Sequence, residues 1–255
     1  MGYDGTGRNP LPFGVRPVKT TALAVLASCI LAAPLRNEAS AVKALEGAGA
    51  KLVRNNRAVV EVNFVTGDSH VGVLGNLAAL PALRTVRLGG GKITDSDLKE
   101  IGNLERLTTL YLATTKVTDA QLNEVGRLTR LEYLNLSLTD VTDAGLKELR
   151  SLHALKELHI CYRREVTSIK DLLDLPNLGV LDLYGTGITD EGLKGIGKMK
   201  KLWALSLVST SITDASIKEL SELKSLVGLS LMDTKLTPAG LAALKKAVPR
   251  CSISP

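Results

Sequence analysis

The sequence predicts an α/β solenoid, in which short strand-and-helix units stack along one parallel sheet. Three observations predict it. A leucine-type residue recurs at Val59, Leu83, Leu107, Leu131, Leu155, Leu178, Leu202 and Leu226, at spacings of 24, 24, 24, 24, 23, 24 and 24 residues. Each unit begins with alternating apolar positions and then changes to a three-residue apolar spacing. Between the two halves a Thr-Asp pair recurs. About eight units of this fixed length mean a stacked array rather than a closed globule around one pocket. A binding surface is therefore favoured over a catalytic cleft.

The elements follow in chain order. Residues 1–41 read as a leader. Arg16 and Lys19 precede an apolar run from Thr20 to Leu35, the layout of a secretory signal. The run is short for a membrane-spanning helix, which needs about 20 residues. Leu26-Ala27-Ser28-Cys29 resembles the bacterial lipobox, which makes Cys29 a lipidation candidate. Ala39-Ser40-Ala41 offers a second cleavage option, and an uncut apolar helix is the alternative. Residues 42–58 read as an N-terminal cap: a short helix over 40–49, then Lys51-Leu52-Val53-Arg54 and a turn at Asn55-Asn56. The array occupies 59–249. Residues 250–255 form a terminal edge strand or tail, where Pro249 and Pro255 discourage further pairing.

One unit shows the logic of the array. In the unit starting at Leu131, Leu134 and Leu136 point inward while Tyr133 and Asn135 point outward, so this half is a short strand. Leu146, Leu149 and Leu152 then form one side of a short helix or 3₁₀ turn. Thr recurs at Thr94, Thr118, Thr142, Thr189, Thr213 and Thr237, and Asp follows in five of the six. Pro238 takes that place in the sixth, and proline suits the first helical position. The threonines are therefore helix N-caps, each contributing about 1 kcal/mol, and the Asp complements the helix dipole. A second row, Thr115, Thr139, Thr186, Thr210 and Thr234, closes the strand. Its hydroxyls are placed to satisfy backbone groups at the inner turn.

The phrase L-x-x-L-x-L-x-x-T-x-[IV]-T-D-x-x-L resembles a leucine-rich repeat and covers about three quarters of the chain. Its second half resembles the ribonuclease-inhibitor-like and F-box-associated subclasses, in a short bacterial-type form. Thr stands where those families carry Asn or Cys at the inner turn. The resemblance implies an arc or horseshoe with a concave parallel β-sheet, convex short helices, and a role in binding other macromolecules. It implies no F-box activity, because no F-box segment is present.

Composition narrows the partners. Apolar residues make up 45% of the chain but aromatics only 3%, so the core is aliphatic. The net charge of +6 is spread over lysines such as Lys147, Lys194, Lys198 and Lys218 on predicted helix faces. The tyrosines fall on the opposite face. Nucleic-acid binding needs a basic stripe and stacking aromatics on one surface, so no nucleic-acid partner is expected. Cys161 and Cys251 lie almost four units apart, too far for a disulfide. A monomer is expected, exported to the periplasm, the cell envelope or the medium, with a cytoplasmic location as the alternative. Membrane attachment is expected only through Cys29.

With the recurring leucine as position 1, positions 3, 5, 7 and 8 of each unit face the concave side. Four of the five tyrosines fall there: Tyr133, Tyr111, Tyr184 and Tyr162. Trp203 sits beside them at position 2. Strands about 4.8 Å apart would let these rings line one patch, and such residues are favoured at protein interfaces. The unit starting at Leu155 is irregular, one residue short, with Arg163-Arg164-Glu165 in place of the usual Thr loop. It displays Glu157, His159 and Cys161 on one face, with Asp182 beside His159. The expected partner-binding set is Tyr111, Tyr133, Asn135, Glu157, His159, Tyr162, Arg163, Arg164, Asp182, Tyr184 and Trp203. Cys161, His159 and a carboxylate are the ingredients of a nucleophile with its base or of a weak metal site. An open sheet offers neither water exclusion nor oxyanion donors. The expectation is therefore a non-catalytic module with no cofactor, no metal and no catalytic residue, binding a protein partner. An envelope scaffold is the alternative. His70 and His153 read as ordinary loop or helix-face residues.

Overall fold

The computed structural model describes residues 37–65 and 67–255. Arg16, Lys19, Cys29 and the rest of the apolar run lie outside the described residues. Helix α1 (Glu38–Gly47) starts where the Asn37 side chain accepts the Ser40 N–H at 2.7 Å, and it buries Ala41 and Leu45. Strands β1 (Lys51–Asn55) and β2 (Ala58–Phe64) then form an antiparallel hairpin. Asn55 pairs with Ala58, leaving Asn56 and Arg57 as the two turn residues at φ 48° and 73°. Two positive φ angles are what a type I′ hairpin turn requires.

From β2 onward every pairing is parallel and sequential. The strands are β3 (Thr85–Leu88), β4 (Thr109–Tyr111), β5 (Tyr133–Asn135), β6 (Glu157–His159), β7 (Val180–Asp182), β8 (Ala204–Ser206), β9 (Gly228–Ser230) and β10 (Ser252–Ser254). Facing residues lie one period apart, as in Thr109 opposite Tyr133, Tyr133 opposite Glu157 and Glu157 opposite Val180. Between strands come helices α2 (Asp95–Gly102), α3 (Leu122–Val125), α4 (Asp143–Leu146), α5 (Ile217–Ser221) and α6 (Pro238–Ala247), or 3₁₀ turns such as Glu191–Leu193 and Ile196–Lys198. Leu110, Leu134, Leu158 and Leu181 line up through the core, as do Leu112, Leu136, Ile160 and Leu183, all fully buried. Burying each such side chain contributes roughly 1.5–3 kcal/mol.

The Thr-Asp pair does more than cap. Thr94, Thr142, Thr213 and Thr237 accept helix N–H groups as N-caps, and Thr94 completes a capping box with Asp97. The Asp carboxylates, however, reach into the next unit. Asp119 accepts the Thr142 N–H at 2.8 Å and the Thr142 hydroxyl at 2.7 Å. Asp143 does the same for Thr167, Asp190 for Thr213 and Asp214 for Thr237. Asp119, Asp143 and Asp214 stand in the first turns of their own helical segments, as expected, and in addition form a bidentate clamp between neighbours. It also explains a signal the sequence reading passed over. Gly145, Gly192, Ser216 and Gly240 recur at position 15 because the preceding loop packs there. A Cβ on Gly145 or Gly240 would run into Asp119 or Asp214, and one on Gly192 into the Thr167 carbonyl. Ser216 instead hydrogen-bonds Asp190. The inner threonine row acts within its own unit: Thr115, Thr139, Thr186, Thr210 and Thr234 each donate to the carbonyl three residues back.

Position 8 is left-handed in every unit from Gly90 to Asp233: Gly90, Thr114, Leu138, Tyr162, Gly185, Ser209 and Asp233 have φ between 55° and 73°. Its N–H stays in the sheet, as in Thr114 to the Ser137 carbonyl at 2.9 Å and Tyr162 to the Tyr184 carbonyl at 2.7 Å. The chain therefore leaves the sheet at this residue without losing a ladder bond.

Two expectations change. The unit starting at Leu155 carries an extra loop residue, so Thr167 takes the place of Thr142, and its helical half is correspondingly shorter. His70 is fully buried, edge-on to Phe64 at 6.0 Å, so it packs as core rather than as a surface loop residue.

Burial opposes the charge on Asp190, but hydrogen bonds from Ser216 and from the Thr213 N–H and hydroxyl outweigh it and hold the carboxyl below its ordinary value. Asp190→Ala should therefore destabilise the array by about 2 kcal/mol, the scale of charge-assisted hydrogen bonds, as read from its urea midpoint. Arg57→Gly should stabilise the array by about 0.5–1 kcal/mol, read from the same midpoint, since glycine removes left-handed strain at some cost in chain entropy.

Candidate functional site

The sheet face opposite the helices carries a continuous row of side chains at outward positions. It begins with Glu61 on β2, whose carboxylate holds Arg87 on β3 at 2.8 Å. The Arg87 guanidinium lies 3.6 Å above the Tyr111 ring on β4. Tyr111 stacks on Tyr133 at 4.5 Å between centroids, and Tyr133 on His159 at 5.2 Å. His159 Nδ1 then meets Asp182 on β7 at 3.4 Å. Register alone places these groups together: the parallel pairing sets Arg87 opposite Tyr111, Tyr133 opposite Glu157, and His159 opposite Asp182. Each ring pair contributes about 0.5–1.5 kcal/mol beyond burial, and the Arg87 contact about 0.5–1 kcal/mol.

A second group lies at the strand exits. Tyr162 and Tyr184 meet edge to face at 4.6 Å, with Tyr162 half exposed. Trp203 forms a third group. It is half exposed, and its indole covers Gly179, where a Cβ would stand 2.7 Å from Nε1. The expected single aromatic patch is thus two ring clusters joined through Asp182, which accepts the Tyr184 N–H at 3.2 Å. Among the described residues, no ring contact reaches Trp203.

The remaining expected residues separate by role. Asn135 accepts the Ser137 N–H at 2.9 Å and shapes its own turn. Arg163 is largely buried and braces the long loop, contacting Glu165 at 3.1 Å, Asp140 at 3.9 Å and the Val141 carbonyl at 3.3 Å. Arg164 is exposed in that loop, and its carbonyl packs where a Gly187 side chain would sit. Glu157 stays on the sheet face, 3.9 Å from His159 Nε2. Sequence reasoning missed Arg87 and Glu61, although both occupy outward positions in the same row. It searched that row for aromatics and overlooked the cation stacked on one.

The Cys161 region holds a thiol that is not activated. Burial, and after it the negative charge of Asp182, pushes the Cys161 thiol up to about 11, so it stays protonated and weakly nucleophilic. His159 directs Nδ1 at Asp182 rather than at this thiol. Burial opposes the charge on Asp182 itself, but hydrogen bonds from His159, Cys161, the Tyr184 N–H and Ser206 bring it down to about 2. Burial and the neighbouring Tyr111 hydroxyl push the Tyr133 phenol up, so it remains a neutral donor. Among the described residues there is no cluster of three metal-ligating side chains, and no helix is long and apolar enough to cross a membrane. Clefts open elsewhere, between neighbouring helical segments, one lined by Leu77, Pro81, Leu104 and Arg106 and another by Lys147, Arg150 and Lys170.

A family model described as Leucine Rich repeat matches residues 128–149 and 174–197. No curated protein matches the chain. Among solved structures, the internalin inlF of Listeria monocytogenes str. 4b F2365 is similar at a TM-score of 0.62 and 22% identity, over 87% of this chain and 64% of that one. Internalin C2 (inlC2) of the same strain gives a TM-score of 0.61 at 22% identity, over 87% and 96%. The plant peptide hormone receptor RGFR1, solved in complex with RGF2, gives 0.51 at 17% identity, over 81% and 36%. The chain thus spans less than two thirds of the inlF chain. These likenesses show the fold: a leucine-rich repeat solenoid.

Two measurements probe the site. Asp182 has a folded value below its ordinary 3.8, so its contribution to stability is present above about pH 4 and is lost as pH falls from about 4 to about 2. Across that window the wild-type chain should lose more stability than Asp182→Asn, measured by urea unfolding at each pH. Gly179→Ala should displace the indole of Trp203, the chain's one tryptophan, and shift its fluorescence to the red without a loss of circular dichroism.

Proposed function

We propose that this chain is a non-catalytic binding module that recognises a protein or peptide partner on the concave face of its sheet. The observation that carries this is the row from Arg87 through Tyr111, Tyr133 and His159 to Asp182, which lies outside both the aliphatic core and the loop clamps. The core lies on the other side of the strands, and the clamps lie in the loops. Large side chains therefore occupy a face where the fold asks only for strand-compatible residues. Such half-exposed, mutually ordered rings are low-entropy contact groups, because stacking has already restricted them. The raised Cys161 thiol weighs against a nucleophilic enzyme on this face. The peptide-bound plant receptor of the same fold supports a peptide or protein as the class of ligand.

Export fits this role and is part of the proposal. The apolar run ending near Leu35 would direct the chain out of the cytoplasm, with either a lipid on Cys29 or a cut near Ala41. A cut near Ala41 would divide α1, whereas processing at Cys29 leaves that helix whole. The mass of the native N-terminus distinguishes the two.

The binding face is tested by site-specific photo-crosslinking in the native host. A benzophenone side chain at position 133 or 184 should give discrete adducts, and one at position 147 or 218 on the helical side should not. The adducts should disappear when the other two of Tyr111, Tyr133 and Tyr184 are replaced by alanine in a probe-bearing chain that keeps its circular dichroism. Adducts confined to the helical positions would overturn the concave assignment.

A further inference from the structure

Charge on the sheet face is unevenly matched. Arg87 is neutralised by Glu61 and covered by Tyr111. Lys156 is matched by Glu132 at 2.8 Å, and Arg163 by Glu165 and Asp140. Glu157 and Asp182 stand apart from these pairs. Among the described residues their ion-pair contacts are with the single side chain of His159, at 3.9 Å and 3.4 Å. Glu157 is nearly half exposed, and Asp182 sits lower, at 27%. Rings stand on two sides: Tyr133 against His159, and the Tyr162–Tyr184 pair beyond Asp182. The middle of the face therefore holds two carboxylates with aromatic walls, on a chain whose net charge is +6.

We propose that this spot receives a lysine or arginine side chain of a partner segment, with Glu157 and Asp182 as counter-ions and Tyr133, Tyr162 and Tyr184 as the walls. The inference rests on the concave-face reading and specifies its partner: a segment carrying a basic residue near its centre. Aromatic faces attract cations, and paired carboxylates add charge-assisted hydrogen bonds. An acidic segment would meet like charge at the same place. The positive charge of the chain as a whole opposes indiscriminate binding of cations, so affinity for a basic segment has to arise locally.

The test uses three fluorescein-labelled dodecapeptides in which Gly alternates with Lys, with Gln or with Glu, titrated into the full chain and followed by anisotropy. The Lys peptide should bind at least about tenfold more tightly than the Gln peptide, and the Glu peptide more weakly still. The Lys preference should weaken with salt. Glu157→Gln/Asp182→Asn, checked by its melting temperature, should erase the preference, while Lys218→Ala, on the helical side, should change it little. Equal binding of the Lys and Gln peptides, a preference that survives the double variant, or no binding of the Lys peptide up to about 1 mM would overturn the proposal. If the Gln or Glu peptide binds instead and is released by Tyr133→Ala/Tyr184→Ala, the concave-face reading stands and only the basic partner falls. If the peptides that bind are indifferent to that tyrosine variant, the concave-face reading falls as well.

Discussion

No unit of this array can bury its own apolar side, and the rest of the structure follows from that. Strands β4 to β10 are three residues each, far too short to stand alone. A strand such as β5 has one inward side chain, Leu134, and it becomes dry only when Leu110 and Leu158 arrive from either side. Stability is therefore set between neighbours. The polar groups obey the same rule. The Asp119 carboxylate has its partners in the following unit, and the Thr142 that it holds is itself the N-cap of α4. Apolar burial drives the stacking, while the carboxylate clamp fixes its spacing, because two hydrogen bonds to one Asp tolerate little slippage.

That division of labour leaves the outer face of the sheet free. Positions 4 and 6 of each unit are committed to the core, the inner threonine to its own turn, and the Thr-Asp pair to the clamp. Position 8 turns the backbone through a left-handed residue while keeping its N–H in the ladder, and Gly, Thr, Leu, Tyr, Ser and Asp all occur there. What remains is positions 3, 5 and 7, and on these the residues differ from unit to unit. The row from Arg87 to Asp182 occupies that unconstrained set. The longer loop after β6 serves the face as well. It carries Arg163, which ties down the backbone just beyond Tyr162.

Much of this was legible in the sequence, for physical reasons. The period, the inward leucines, the N-cap threonines and the outward tyrosines all follow from spacing within one unit, and spacing is what a sequence displays. The reach of Asp119 toward Thr142 was not legible in the same way, because a carboxylate at the start of a helix suits both the dipole of that helix and a neighbour about 4.8 Å away. The recurrent Gly145, Gly192 and Gly240 were the available clue to the close approach. The left-handed turn at position 8 was concealed by its occupants, since Thr114, Leu138 and Tyr162 carry no glycine signal. In the site, register placed Asp182 opposite His159 as expected. It could not reveal that Arg163 would be used up by the loop, or that Trp203 would lie over Gly179 rather than join the other rings.

The stacked row also bears on how such a surface changes over time. Tyr133 touches Tyr111 on one side and His159 on the other, and Arg87 is held through Tyr111. Substituting any one of them alters the packing of its neighbours, so the effects of successive substitutions do not simply sum. The row is therefore epistatic: reshaping it requires linked replacements along its length. The clamped loops and the aliphatic core meanwhile allow those replacements without remaking the fold.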